Sequence, residues 1–134
     1  MSACVLDTDV VIAALDRRDA HHEAAAVAFA RMSEDETDLL LSAVNYAEAL
    51  VRPAEDEGTL RAAVDAIASL RIRVVGPDAA TARSAARFRG LGISLADGFA
   101  LATAAAHDAS VASFDKRVQR ALGPAGLLLC ESLG

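Results

Sequence analysis

The sequence predicts an α/β domain of three layers, with a central parallel sheet of four to five strands between helices. Three observations lead there. Short apolar runs alternate with segments of helical spacing in the order β-α-α-β-α-α-β-α-α-β-α-β, which calls for parallel strands joined by helical crossovers. Hydrophobic residues make up 54% of the chain but aromatics only 4%, so the excess is alanine, which suits closely packed helices rather than a β-sandwich. The opening run Ala3-Cys4-Val5-Leu6 stops abruptly on Asp7-Thr8-Asp9, as a strand buried on both faces does when it leaves a parallel sheet. At 134 residues the chain is a single domain spanning 1–134.

The elements follow in order. After the first strand, an apolar helical turn begins near Val10 and runs to Leu15, ending in Asp16-Arg17-Arg18-Asp19. A helix from about His21 to Met32 comes next; adjacent His21 and His22 point to different helical faces and read as exposed helix-start residues. Leu39-Leu40-Leu41 is a second buried strand, and Ser42 marks its end. The segment Ser42 to Leu50 is a helix in which Asn45 and Glu48 have the spacing of a capping box. Pro53 closes it. A longer helix from about Glu57 to Leu70 places Leu60, Val64, Ile67 and Leu70 on one face. Ile72 to Val75 is the third strand, Asp78 caps the helix that follows, and Gly90 to Gly92 bounds a turn.

Ile93 to Ala104 is the most informative later segment. Ser94 and Asp97 again have capping-box spacing, yet the helix is almost wholly apolar beyond Asp97, so it carries one charge at its inner start. Gly98, directly after that charge, permits close approach of a backbone or ligand. Ala109 to Phe114 is the fourth strand and ends on Asp115, repeating the logic of the first. Lys116 to Leu122 is a short helix broken by Gly123-Pro124, and Leu127 to Cys130 can add an edge strand.

Composition excludes several classes. No apolar run approaches the ~18 to 20 residues of a membrane span, and no basic segment followed by an apolar core opens the chain, so a soluble, cytoplasmic protein is expected. Cys4 and Cys130 lie in apolar runs and are expected to be buried free thiols. Gly-rich phosphate loops, C-x-x-C, H-E-x-x-H and G-x-S-x-G are absent, which argues against a nucleophilic triad. The net charge of −6 argues at first against nucleic acid. Of the 13 basic residues, however, only Lys116 is a lysine, and arginine is the better bidentate phosphate ligand.

The candidate chemistry lies in four carboxylates. Asp7 and Asp115 end strands, whereas Glu48 and Asp97 open helices that leave the same edge of the sheet, where ligands of such folds bind. Each has a plain structural alternative as a helix cap. If the four converge, they repel one another unless a cation holds them ionised. Oxygen-only ligands select a hard ion, Mg²⁺ or Mn²⁺, which suits in-line hydrolysis of a phosphodiester.

These residues resemble the PIN-domain ribonucleases, and among them the small VapC-type toxins of bacterial toxin–antitoxin pairs. Leu6-Asp7-Thr8-Asp9-Val10 is similar to the family's opening strand, Ser42 to Leu50 to the segment carrying its glutamate, Leu95 to Ala104 to its D-a-h-h-A-x-A helix, and Ser113-Phe114-Asp115 to its T/S-x-D strand end. The resemblance implies an acidic quartet of Asp7, Glu48, Asp97 and Asp115, with Asp7, Asp97 and Asp115 at the Mg²⁺ and the first two as its most direct ligands. It implies supporting hydrogen bonds from Thr8 and Ser113. It further implies an RNA substrate, a VapB-like antitoxin that covers the site, and homodimerisation through helices. Two positions depart from the pattern: Asp9 stands where a small polar residue is common, and Val118 where an aromatic residue is frequent.

Two other readings compete. Asp7-Thr8-Asp9-Val10-Val11 also fits the D-x-D-x-V opening of haloacid-dehalogenase-like phosphotransferases, in which Asp7 would be a covalent nucleophile. That group needs a lysine on a separate element, and the sole lysine here adjoins Asp115. The third reading is a non-catalytic interaction domain whose acids are only caps and strand ends.

Overall fold

Asp7 follows directly on one of the two inner strands of the sheet. In the computed structural model, which describes residues 2–133, β1 (Ala3–Leu6), β2 (Asp38–Ser42), β3 (Ile72–Val75) and β4 (Ser110–Ala112) form one sheet in the order β3-β2-β1-β4. Every pairing is parallel, with Val5 beside Leu40 on one side and Val111 on the other. Parallel pairing requires crossovers, and the helices α1 (Thr8–Leu15), α2 (His22–Glu34), α3 (Ala43–Leu50), α4 (Glu57–Ser69), α5 (Ala79–Phe88) and α6 (Leu95–His107) supply them, while α7 (Lys116–Ala125) follows the last strand.

Side chains alternate across the sheet, and the two faces make separate cores. Cys4, Leu6, Leu39 and Leu41 pack with Val10 and Val11 of α1, Phe29 and Met32 of α2, Ala49 of α3 and Ile67 of α4. Val5, Leu40 and Val111 pack against Leu101 and Ala104 of α6, Val118 and Leu122 of α7, and Phe88 of α5. The result is the expected three-layer α/β/α arrangement. The α5 and α6 helices approach closely enough that a Cβ on Gly98 would lie 2.6 Å from the carbonyl oxygen of Ala85. The close approach predicted at that glycine is therefore made by a backbone.

Several local expectations need correction. The first helix starts at Thr8, not near Val10, because Asp7 is already its cap and accepts a hydrogen bond from the Thr8 N–H. Asn45 and Glu48 form no capping box: Ser42 caps α3 through the Val44 N–H, which leaves Asn45 inside the helix and free to bond elsewhere. Gly123-Pro124 does not break α7. The helix continues to Ala125 and ends where Gly126 turns left-handed at φ 75°, with the Leu127 N–H bonding back to the Leu122 carbonyl; a proline in the last turn withdraws only one donor, and the glycine beyond it makes the stop. The expected edge strand shrinks to a single bridge between Val111 and Leu129. His21 and His22 are more engaged than a solvated helix start would be. The His21 ring stacks on Phe114 at 4.5 Å, and His22 Nδ1 lies 2.7 Å from the Ala13 carbonyl. Cys4 and Cys130 are free and buried, as expected, but both face the same core.

Among the described residues, no helix is long and apolar enough to cross a membrane.

Candidate active site

Asp7 leaves β1 at its carboxyl end and is only 2% exposed. Its backbone N–H bonds to the Ala112 carbonyl of β4 at 2.9 Å, so the strand pairing itself sets where its carboxylate begins. One carboxylate oxygen accepts from the Thr8 N–H at 2.9 Å and the other from the Ser113 hydroxyl at 2.8 Å. Ser113 is fully buried. Its Oγ also accepts from the Asp115 N–H at 3.1 Å, which ties the exit of β4 to the exit of β1.

Asp115 caps α7 through the Arg117 N–H at 2.8 Å. Asp97 and Ser94 complete the predicted capping box at the start of α6, with contacts of 3.1 and 3.3 Å. Glu48 projects from α3, and its Oε1 accepts from the Thr8 hydroxyl at 2.6 Å. Capping and clustering are thus compatible: Asp7, Asp97 and Asp115 serve helix starts and stand together at the carboxyl edge of the sheet. Helix N-termini carry partial positive charge, which offsets some of the repulsion between acids placed there.

The remaining repulsion is visible in the proton affinities. Burial first, then the charges of Asp9 and Asp97, push the Asp7 carboxyl up to about 7 from an ordinary 3.8, against the lowering effect of Ser113 and Thr8. Burial also pushes Asp9 up to about 6, with Asp115 and Asp97 adding to the shift and the Phe114 N–H opposing it.

Two residues of the site escaped sequence reasoning. Asp9, read only as a departure from a pattern, is a fifth acid: Oδ2 accepts from the Phe114 N–H at 3.0 Å, and Oδ1 is buried with no hydrogen-bond partner. Its signal was its place two residues after Asp7, in the first turn of the helix that Asp7 starts. Asn45 is fully buried and reaches both Thr8 and the Ala96 carbonyl. It could have been found from its spacing to buried Ala49, which puts an amide on the inward face of α3.

Among the described residues, no group of three or more His, Cys, Asp or Glu side chains is arranged to hold a metal ion directly. The donor chemistry nevertheless fits a hard cation. Every candidate ligand is a carboxylate, Asp9 Oδ1 is orphaned beside them, and burial together with neighbouring acids raises the Asp7 and Asp9 carboxyls, a cost that a cation would offset. Mg²⁺ keeps several waters and needs only one or two direct carboxylates.

Comparison with known proteins assigns the class. The PIN-domain family matches residues 4–123, and this chain belongs to that family. That membership removes the reading of Asp7 as a phosphotransferase nucleophile. Among solved structures, the chain is similar to the VapBC2 complex of Rickettsia felis bound to a promoter DNA fragment, at TM-score 0.75 and 16% identity over 96% of this chain and 97% of that one. It is also similar to VapC20 of Mycobacterium tuberculosis, described as a sarcin-ricin-loop-cleaving toxin, at TM-score 0.71 and 18% identity over 95% and 98%. FitAcB of Neisseria gonorrhoeae gives TM-score 0.67 and 23% identity over 96% and 97%. At such identities the likeness shows the fold. No curated protein matches the sequence.

Proposed function

We propose that this chain is a metal-dependent endoribonuclease and the toxin component of a VapBC-type pair. What supports the reading is a PIN-domain chain in which Thr8 and Ser113 link Asp7, Glu48 and Asp115, with the charge of Asp97 near enough to act on Asp7. Asp7, Asp97 and Asp115 would hold Mg²⁺, with Mn²⁺ able to substitute. When bound, such an ion supplies Lewis acidity to a phosphoryl oxygen and lowers the pKa of water.

The chain's own groups do the rest. Glu48 has one carboxylate oxygen engaged by Thr8, which leaves the second to accept a proton from the attacking water. Thr8 and Ser113 keep the acids in place. A cleft of about 250 Å³ between Leu91-Gly92 and α7 is lined by Arg117 and Arg120, and guanidinium groups beside an acidic centre suit the flanking phosphates of RNA despite the chain's negative total. A larger cavity of about 580 Å³, lined by Phe29, Met32, Leu39 and Arg71 among others, lies at the opposite ends of the strands.

The similarity to VapBC complexes supports a VapB-like antitoxin as the protein partner. A second copy of the chain is the other partner proposed, and exposed apolar side chains such as Val27 and Val51, at 51% and 66%, are available to such contacts. The test is direct. Purified protein should cut RNA with Mg²⁺ or Mn²⁺ and stop on addition of EDTA; full activity in EDTA rules the mechanism out.

A further inference from the structure

Asn45 lies in the first turn of α3 with no exposed surface. Its Nδ2 donates to Thr8 Oγ1 and to the Ala96 carbonyl oxygen, each at 3.1 Å. A backbone carbonyl can only accept, so the Ala96 contact decides which end of the amide points there. Both amide protons are then committed. Thr8 Oγ1 takes one of them and has a single O–H of its own left to give; Glu48 Oε1 lies 2.6 Å away. The hydrogen bonds run in one direction, from Asn45 to Thr8 to Glu48.

We propose that Asn45 is a positioning residue for Glu48, acting through the Thr8 hydroxyl and anchored by Ala96. This assignment rests on the reading of Glu48 as the carboxylate that orients water. By taking up the Thr8 lone pair, Asn45 turns the hydroxyl proton toward Glu48 and holds that carboxylate oxygen as an acceptor. Glu48 is an exposed side chain on a helix surface, with rotamer freedom that must be restrained before it can aim at a water. Stability does not account for the amide. Its Oδ1 is buried with no partner, an unpaired acceptor that an apolar residue of the same size would not leave. What the amide supplies is its two donations, one fixing its own orientation and the other fixing Thr8.

The experiment compares Asn45→Ala, Asn45→Asp, Thr8→Val, Thr8→Ser and the Asn45→Ala/Thr8→Val double variant. An aspartate at 45 keeps the shape but accepts from Thr8, which turns the hydroxyl proton away from Glu48. Readouts are kcat and KM on an RNA oligonucleotide, Mn²⁺ affinity by calorimetry, thermal melts, and hydrogen exchange of the Asn45 side-chain amide by NMR. Asn45→Ala, Asn45→Asp and Thr8→Val should each lower kcat about 10- to 100-fold, as loss of a supporting hydrogen bond does, with KM and Mn²⁺ affinity changed by less than about threefold. Thr8→Ser should restore kcat. The double variant should be no slower than either single one, because both remove the same constraint. In Thr8→Val, one Asn45 amide proton should remain protected and the other exchange faster. A wild type without RNA cleavage sinks the nuclease reading itself. A cleaving wild type whose folded Asn45 variants keep kcat, or whose two losses multiply in the double variant, sinks the Asn45 assignment alone. Should Asn45→Ala fail to fold, Asn45→Asp and the Thr8 pair decide.

Discussion

The carbonyl oxygen of Ala85 lies 2.6 Å from where a Cβ on Gly98 would stand. The contact joins α5 to the helix whose first turn presents Asp97. Gly98→Ala would gain helix propensity, about 0.8–1.0 kcal/mol in isolation. The clash is with backbone, which cannot step aside as a side chain can, and overpacking of this kind costs about 1–3 kcal/mol. A net loss of stability is expected in urea unfolding, with Asp97 displaced and Mn²⁺ affinity lowered. A variant as stable as the parent would show that α5 yields freely.

The raised carboxyls make stability depend on pH with an unusual sign. A group whose folded-state pKa exceeds its unfolded value binds its proton more tightly when folded, so stability falls as pH rises through the interval between the two. For Asp7 and Asp9 that interval runs from 3.8 to about 7 and about 6. Metal-free protein should therefore melt higher at pH 5 than at pH 8, by something on the order of 2 kcal/mol because the two carboxyls share one repulsion. Asp16 and Asp78, held below 3.8 by N–H groups of Arg18 and Thr81, act in the opposite sense only at lower pH. Mn²⁺ should abolish the difference. Equal melts at both pH values without metal would contradict it.

Asp7→Asn removes the most buried of these charges and keeps an oxygen for the Thr8 N–H. At pH 8 the variant should melt roughly 3–5 °C above the metal-free parent, consistent with about 1 kcal/mol of relieved repulsion. Metal binding and RNA cleavage should disappear together. A large fall in melting temperature with Mn²⁺ affinity intact would make Asp7 a structural cap and nothing more.

Glu48→Gln and Asp97→Asn should separate two tasks. Asp97 is short and stands on a buried helix, so its loss should weaken Mn²⁺ binding and cleavage in parallel. Glu48→Gln should lose cleavage with a smaller loss of affinity, since the glutamate works through water. Calorimetric titration beside a cleavage assay distinguishes them, and identical profiles for the two variants would overturn the division.

Ser113→Ala takes away the donor to Asp7 and the acceptor for the Asp115 N–H. Both lost partners are at least partly buried, so about 1–3 kcal/mol of stability should go. The Asp7 carboxyl, relieved of its lowering contact, should hold its proton to still higher pH. Carboxyl chemical shifts followed by NMR would report the change.

The four strands were legible, and Asp7, Glu48, Asp97 and Asp115 stood out as candidates, because each depends on local pattern: an apolar run, a charge at its end, a helix start. Asp7 and Asp115 announce themselves by terminating such runs, and Asp97 by standing alone on an apolar helix. Asn45 was not legible as a site residue, since its partners Thr8 and Ala96 lie 37 and 51 residues away, and locally it mimics a cap. Pro124 misled for the opposite reason: its local rule is strong, but the left-handed Gly126 just beyond it decides the helix end. The stacking of His21 on Phe114 depends on how β4 is placed beside β1, which no window of sequence contains.

The serine that holds Asp7 lies 106 positions after it, at the exit of the last strand in the sheet. Everything between must be synthesised, and β4 must dock against β1, before the carboxylate has its second partner. Contacts of such separation form late, because the intervening loop must be closed before they contribute. A growing chain therefore carries Asp7 and Asp115 apart from one another until the final strand of the sheet is in place.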